Sequence, residues 1–171
     1  DLQMKKSRQA ALLGMLLALA CVLSFLENLI PTAGLLPPGV KLGLSNIVTM
    51  YTMLFLGLPC ALTVGLLKAA FVLLTRGAVA GFMSMCGGFF SIVVMYLLIR
   101  IKRPVFSYRF VSICGAVGHN LGQLIAASFL LASLTTFAYA PILILSGIVM
   151  GTITSMVLFA VMPALQSIFK E

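Results

Sequence analysis

Nine polar or charged residues stand inside otherwise apolar stretches of this chain: Glu27, Asn28, Lys41, Asn46, Lys68, Arg76, His119, Asn120 and Gln123. Lys41, Lys68 and Arg76 are cations, His119 is titratable, and Glu27 is the single acidic partner they share. Such a surplus of cations favours an anionic ligand group such as phosphate or carboxylate, because charge-assisted hydrogen bonds to oxyanions are strong. His119 and Gln123 are four apart and Asn120 and Gln123 three apart, so on a helix they share one face. That face could hydrogen-bond the head or ring of a ligand, or glue helices together. Likewise, Glu27 could pair with Lys68 while Lys41 and Arg76 snorkel to headgroups from helix ends. A lone histidine without cysteine or carboxylate companions does not make a metal site, and no metal is expected.

Other chemistries lack their residues. Prenyl diphosphate synthesis of the usual kind needs clustered aspartates holding magnesium, and the only aspartate is Asp1. No G-x-x-x-x-G-K-[ST] loop is present for ATP hydrolysis. Paired carboxylates for acid–base work are absent. Cys21, Cys60, Cys86 and Cys114 fall in apolar segments without metal-ligand spacing and read as small buried hydrophobes. The chain is therefore expected to be no enzyme and to carry no cofactor of its own.

The elements that position these residues follow from composition. Of 171 residues 62% are hydrophobic, with eleven basic, three acidic and no tryptophan. A soluble domain of this size needs far more charge to cover its surface, whereas apolar runs of ~20 residues are what a bilayer span requires. The reading is one all-α integral membrane domain over residues 1–171. Six transmembrane helices are expected at about 9–30, 42–58, 60–75, 81–99, 110–134 and 141–167. Residues 1–8 form a basic N-terminus and residues 31–41 a Pro/Gly-rich outer loop that cannot be regular helix. The net charge of +8 reflects membrane orientation and not nucleic-acid binding. With the N-terminus inside, Lys5, Lys6, Arg8, Arg100, Lys102, Arg103, Arg109 and Lys170 are cytoplasmic, while only Lys41 and Arg76 face outward. The positive-inside rule therefore gives an N-in, C-in topology.

On that topology all nine polar residues lie between the midplane and the outer surface, above a nearly apolar cytoplasmic half. This is the pattern of a cavity that receives a ligand from outside. Lys68, about eight residues into the third helix, is ~12 Å deep, where an unpaired ammonium is costly and snorkelling is difficult. Glu27 is offset from it by ~15 Å along the axis, too far for a direct pair unless a helix is tilted, unwound or shifted. The ligand, His119 and Asn120 are the expected neighbours of Lys68.

Small residues recur at four-residue spacing: Ala10, Gly14 and Ala18, then Gly118 and Gly122, then Gly147 and Gly151. Such stripes let helices approach closely, either within the bundle or against a separate subunit, and the first stripe is the best candidate for a partner. Gly87-Gly88 suggests a local irregularity or the close approach of a ligand.

The segment Pro37-Pro38-Gly39-Val40-Lys41-Leu42-Gly43-Leu44-Ser45-Asn46-Ile47-Val48, with Gly118-His119-Asn120-Leu121-Gly122-Gln123-Leu124, resembles the bacterial membrane family labelled Gx transporter or heptaprenyl diphosphate synthase component I. The resemblance covers essentially the whole chain. That family is similar to the S components of energy-coupling factor transporters. The resemblance implies an S-component-like six-helix bundle in the bacterial cytoplasmic membrane that binds a small molecule near its outer face. It implies a transmembrane coupling subunit contacted by Ala10, Gly14 and Ala18, and cytoplasmic ATPases as the only users of ATP. Isoprenoid phosphates, quinone precursors and flavin nucleotides stand as ligand classes. The alternative it leaves open is a membrane anchor or assembly subunit for quinone- or flavin-linked extracytosolic electron transfer, with prenyl transfer a third reading.

Overall fold

A computed structural model of the protein describes residues 6–29, 43–101 and 107–170, with backbone alone for residues 6, 161–162 and 164–170. The described residues form helices and no strand: α1 (Lys6–Glu27), α2 (Asn46–Phe55), α3 (Leu58–Arg76), α4 (Ala78–Arg100), α5 (Tyr108–Leu130), a 3-10 turn (Leu134–Tyr139) and α6 (Ala140–Lys170). Five of these stretches are long and apolar enough to cross a membrane. Their outer surfaces carry large bare hydrophobes such as Leu74, Phe129, Leu134 and Met15. So much exposed apolar surface is stable only against lipid. The chain is a multi-pass helical membrane protein.

The second expected span is the element that differs. In place of a helix over residues 42–58 there is α2, ten residues long and so ~15 Å, about half a bilayer core. It runs back antiparallel along α3: Ser45 meets Lys68, Val48 clusters with Val64, and Met53 with Ala61. The start of α2 therefore lies level with Lys68, ten residues into α3. This half-helix touches all five other helices and is buried along most of its length, its polar Asn46, Thr49 and Thr52 included. The outer loop at residues 31–41, Lys41 included, lies outside the described residues.

The chain turns sharply at both ends of α3. Gly57 precedes it, followed by Pro59 in the first turn, and Gly77 both ends α3 and begins α4. The hairpins α3–α4, α4–α5 and α5–α6 form the three largest contacts, whereas among the described residues α1 packs on α2 and α3.

Two of the three small-residue stripes are internal. A methyl on Gly151 would sit 2.5 Å from the Ile113 Cα, so the backbones of α5 and α6 meet there, and Ser112 Oγ donates to the Gly151 carbonyl at 2.7 Å. Gly118 and Gly122 pack in the same way against Val94, Phe90 and Cys86 of α4. The first stripe is different. Ala10, Gly14 and Ala18 are exposed, and the space beyond Gly14 is empty of protein atoms. Helix α4 runs unbroken through Gly87-Gly88, so no irregularity occurs. Close approach does occur at Gly87, where His119 and Gln123 of α5 lie against the bare backbone.

Candidate functional site

Four helices and the turn before α2 each contribute one stripe to a single polar cavity. Lys68, Val72 and Arg76 of α3 lie at four-residue intervals, as do Ala80 and Ser84 of α4 and His119 and Gln123 of α5. Ser24 and Glu27 of α1 are three apart, and Ser45 comes from the turn. These spacings put each set on one helical face. From Lys68 to Arg76 the wall extends two turns of α3, ~12 Å. Glu27 and Lys68 can thus line one cavity in spite of their axial offset.

Lys68 is only 1% exposed, and its Nζ donates to Ser45 Oγ at 3.2 Å. Arg76 is partly exposed at the C-terminal end of α3, at the far end of the same wall. Glu27 is buried, and its carboxylate accepts a hydrogen bond from the Gly43 backbone N–H. Gly43 has φ of +92°, a left-handed conformation that favours glycine, and the His119 ring packs on its open side. The start of α2 therefore points its positive dipole end at the cavity. Half-helices ending beside buried charge are the arrangement by which membrane transport proteins hold ions and anionic groups.

His119 and Gln123 are both buried, and His119 Nδ1 has no hydrogen-bond partner. The free space left between these side chains is about 10 Å³, roughly that of one water molecule. The polar groups are gathered around little free space.

Of the remaining expected site residues, the described ones do not line this cavity. Asn120 Nδ2 donates to the Leu143 carbonyl at 2.8 Å and to Ser146 Oγ at 3.0 Å, so it fastens α5 to α6. Asn46 Oδ1 accepts from Ser91 Oγ at 2.9 Å, fastening α2 to α4. Asn28 is exposed. Lys41 lies outside the described residues. Of the neighbours expected for Lys68, His119 shares its cavity and Asn120 faces away.

Sequence reasoning missed the hydroxyls of Ser24, Ser45 and Ser84. A signal was present: Ser24 precedes Glu27 by three residues, and Ser45 directly precedes Asn46 in the Pro/Gly-rich motif. Serine is too common in membrane helices for that spacing to single it out. Among the described residues no group of three or more His, Cys, Asp or Glu side chains could hold a metal ion, and the four cysteines are free.

The fold and cavity define a multi-pass helical membrane protein with a buried, predominantly cationic polar site. Residues 16–161 match the heptaprenyl diphosphate synthase component I family. The chain belongs to that family, which agrees with the resemblance carried by its two motifs. No curated protein and no solved structure matches it.

Proposed function

We propose that the protein is the substrate-binding membrane subunit of an energy-coupling-factor-type transporter. Its cavity takes the anionic head of an amphiphile, with isoprenoid phosphates, quinone precursors and flavin nucleotides as the classes to try. The observation that carries this reading is the complete burial of Lys68 in a cavity shared with Arg76, His119, Gln123 and three serine hydroxyls. A buried ammonium demands a compensating partner, and among the described residues of the wall Glu27 is the one carboxylate set against Lys68 and Arg76.

In this reading the subunit sits in the bacterial cytoplasmic membrane with both termini inside. Helix α2 supplies the inner half of the second crossing, so the chain crosses six times. It performs no prenyl transfer and holds no cofactor. A transmembrane coupling subunit docks on Ala10, Gly14 and Ala18, whose exposure supports that role, and cytoplasmic ATPases supply the energy.

A second reading, an anchor or assembly subunit for quinone- or flavin-linked electron transfer, is favoured by one observation: the cavity has only about 10 Å³ of free space. Extraction of the detergent-purified protein followed by mass spectrometry separates the two. An anionic amphiphile in about one-to-one ratio supports the transporter subunit. An empty protein that co-purifies tightly with electron-transfer subunits overturns it in favour of the anchor. Prenyl elongation by the isolated chain with magnesium overturns both.

A further inference from the structure

Lys68, Val72 and Arg76 put one face of α3 on the polar cavity. The opposite face borders a groove that opens to the bilayer between α3 and α4. Leu66, Ala70 and Leu73 line one part of it with Phe82 and Met85. Leu62 and Leu66 line the other with Met85, Gly88 and Phe89. Leu66 and Met85 belong to both, so the two parts, of about 270 and 240 Å³, form one groove. Joined, they fall in the ~300–1,000 Å³ range of small-molecule sites. The groove follows α3 from Leu73 to Leu62, ~16 Å. Its floor lies where the two helices come closest, with Gly81 against Leu73 and Gly65 against Ile92. Its rims are bare, Leu66 being 61% and Phe89 57% exposed. Among the described residues no polar side chain lines it.

At its Leu73 end this groove meets the polar cavity. Arg76 is one turn beyond Leu73 on α3, and Ala80 of the cavity wall falls between Ala78 and Gly81 of the groove. We infer that the groove is the tail subsite of the ligand: a single-chain amphiphile sets its anionic head against Arg76 and lays its apolar tail between α3 and α4, outside the bundle. The inference rests on the anion-binding reading above and adds the place of the tail. The polar cavity leaves about 10 Å³ free among mostly polar side chains. A hydrocarbon tail there would separate buried polar groups from their partners, which is costly. The groove instead offers apolar atoms on both sides of a chain, and close dispersion contact is what binds one apolar surface to another within lipid. A tail that leaves Arg76 past Gly77 enters the groove directly.

The test uses the purified protein in phosphatidylcholine nanodiscs and dodecyl phosphate carrying a diazirine on its terminal carbon. Illumination is expected to label the α3–α4 hairpin at the Leu62 and Ile92 end. Excess dodecyl phosphate is expected to remove that label, and excess dodecanol to leave it. Two variants fill the groove without touching the polar cavity. Gly88→Leu enters open space, and Ala70→Leu alters an exposed position. Each is expected to weaken dodecyl phosphate by about threefold or more and to leave butyl phosphate, which has too short a tail to fill the groove, unchanged. If one variant fails to fold, the other serves, and the labelling needs neither. A label that dodecanol removes as well overturns the inference, because the groove then takes any apolar chain of the bilayer. So does a competed label on another helix, or an unchanged affinity for dodecyl phosphate in the folded variants. In those cases the anion site remains. Binding of neither phosphate by the wild type overturns the anion site itself and the inference with it.

Discussion

Lys68 Nζ lies 3.2 Å from Ser45 Oγ, so the buried ammonium of α3 reaches the residue that opens the half-helix α2. The short helix begins level with the buried charge of α3. A full-length helix would seal its backbone groups to one another. Starting α2 beside Lys68 instead leaves the Gly43 N–H to meet Glu27 and a serine hydroxyl to meet Lys68. Polar backbone at this depth is tolerated because it lines a polar cavity and not lipid.

Lys68→Met is expected to fold normally and to resist thermal unfolding in detergent at least as well as the wild type. An apolar side chain of similar length replaces a buried charge, a change that is often neutral or stabilising. The same change is expected to weaken binding of an anionic amphiphile probe, dodecyl phosphate, by about tenfold or more, given ~1.5–3 kcal/mol for a hydrogen bond to a charged group. Titration of wild type and variant measures this, and equal affinities would mean that Lys68 is structural.

Asn120→Leu separates helix fastening from ligand contact. The substitution removes both hydrogen bonds to α6, and interhelical hydrogen bonds in membranes are worth ~0.6–1.7 kcal/mol. The variant is expected to unfold earlier in a denaturant titration while keeping wild-type probe affinity. Because Asn120 Oδ1 is buried without a partner, the loss is expected near the lower end of that range. A large drop in affinity with unchanged stability would return Asn120 to the ligand site.

Gly151→Ala tests the α5–α6 seam. A Cβ there would meet the Ile113 Cα at 2.5 Å and the Ser112 carbonyl at 3.0 Å, and neither is the yielding end of a side chain. Forcing the helices apart is expected to cost ~1–3 kcal/mol and to strain the Ser112–Gly151 hydrogen bond. Thermal unfolding in detergent reads the loss.

Much of this fold was legible because a bilayer simplifies the signal. Long apolar runs announce α1, α3, α4, α5 and α6, and the expected spans match the observed helices within a few residues. Helix α2 was not legible in the same way. An apolar run that includes Gly43, Ser45 and Asn46 reads as a span, and hydropathy carries no information on where a helix starts inside it. For the site, depth alone picked out Lys68, Arg76, His119, Gln123 and Glu27. It does not distinguish Asn120 from them, because neighbouring residues on a helix differ by about 100° in direction. His119 faces α4 and the cavity, whereas Asn120 faces α6. The three-residue spacing of Asn120 and Gln123 is satisfied by the helix without both serving one ligand.

The exposed stripe on α1 carries the last prediction. Ala10, Gly14 and Ala18 face away from the bundle, and nothing in the protein lies within 4 Å of a methyl built on Gly14. Among the described residues, helix α1 also has the fewest helix partners, packing on α2 and α3. Gly14→Leu therefore meets open space in the isolated protein, and its fold, thermal unfolding and probe affinity are expected to match the wild type. If the stripe is where a coupling subunit approaches, the leucine holds the two backbones apart and removes the packing that drives association in lipid. Co-expression with a candidate coupling subunit, followed by affinity purification on that partner, reads the effect. Loss of co-purification from Gly14→Leu with intact probe binding assigns the stripe to the partner. Wild-type recovery places the contact elsewhere on the surface. Loss of the isolated protein's own stability would mean that the stripe packs within the bundle after all.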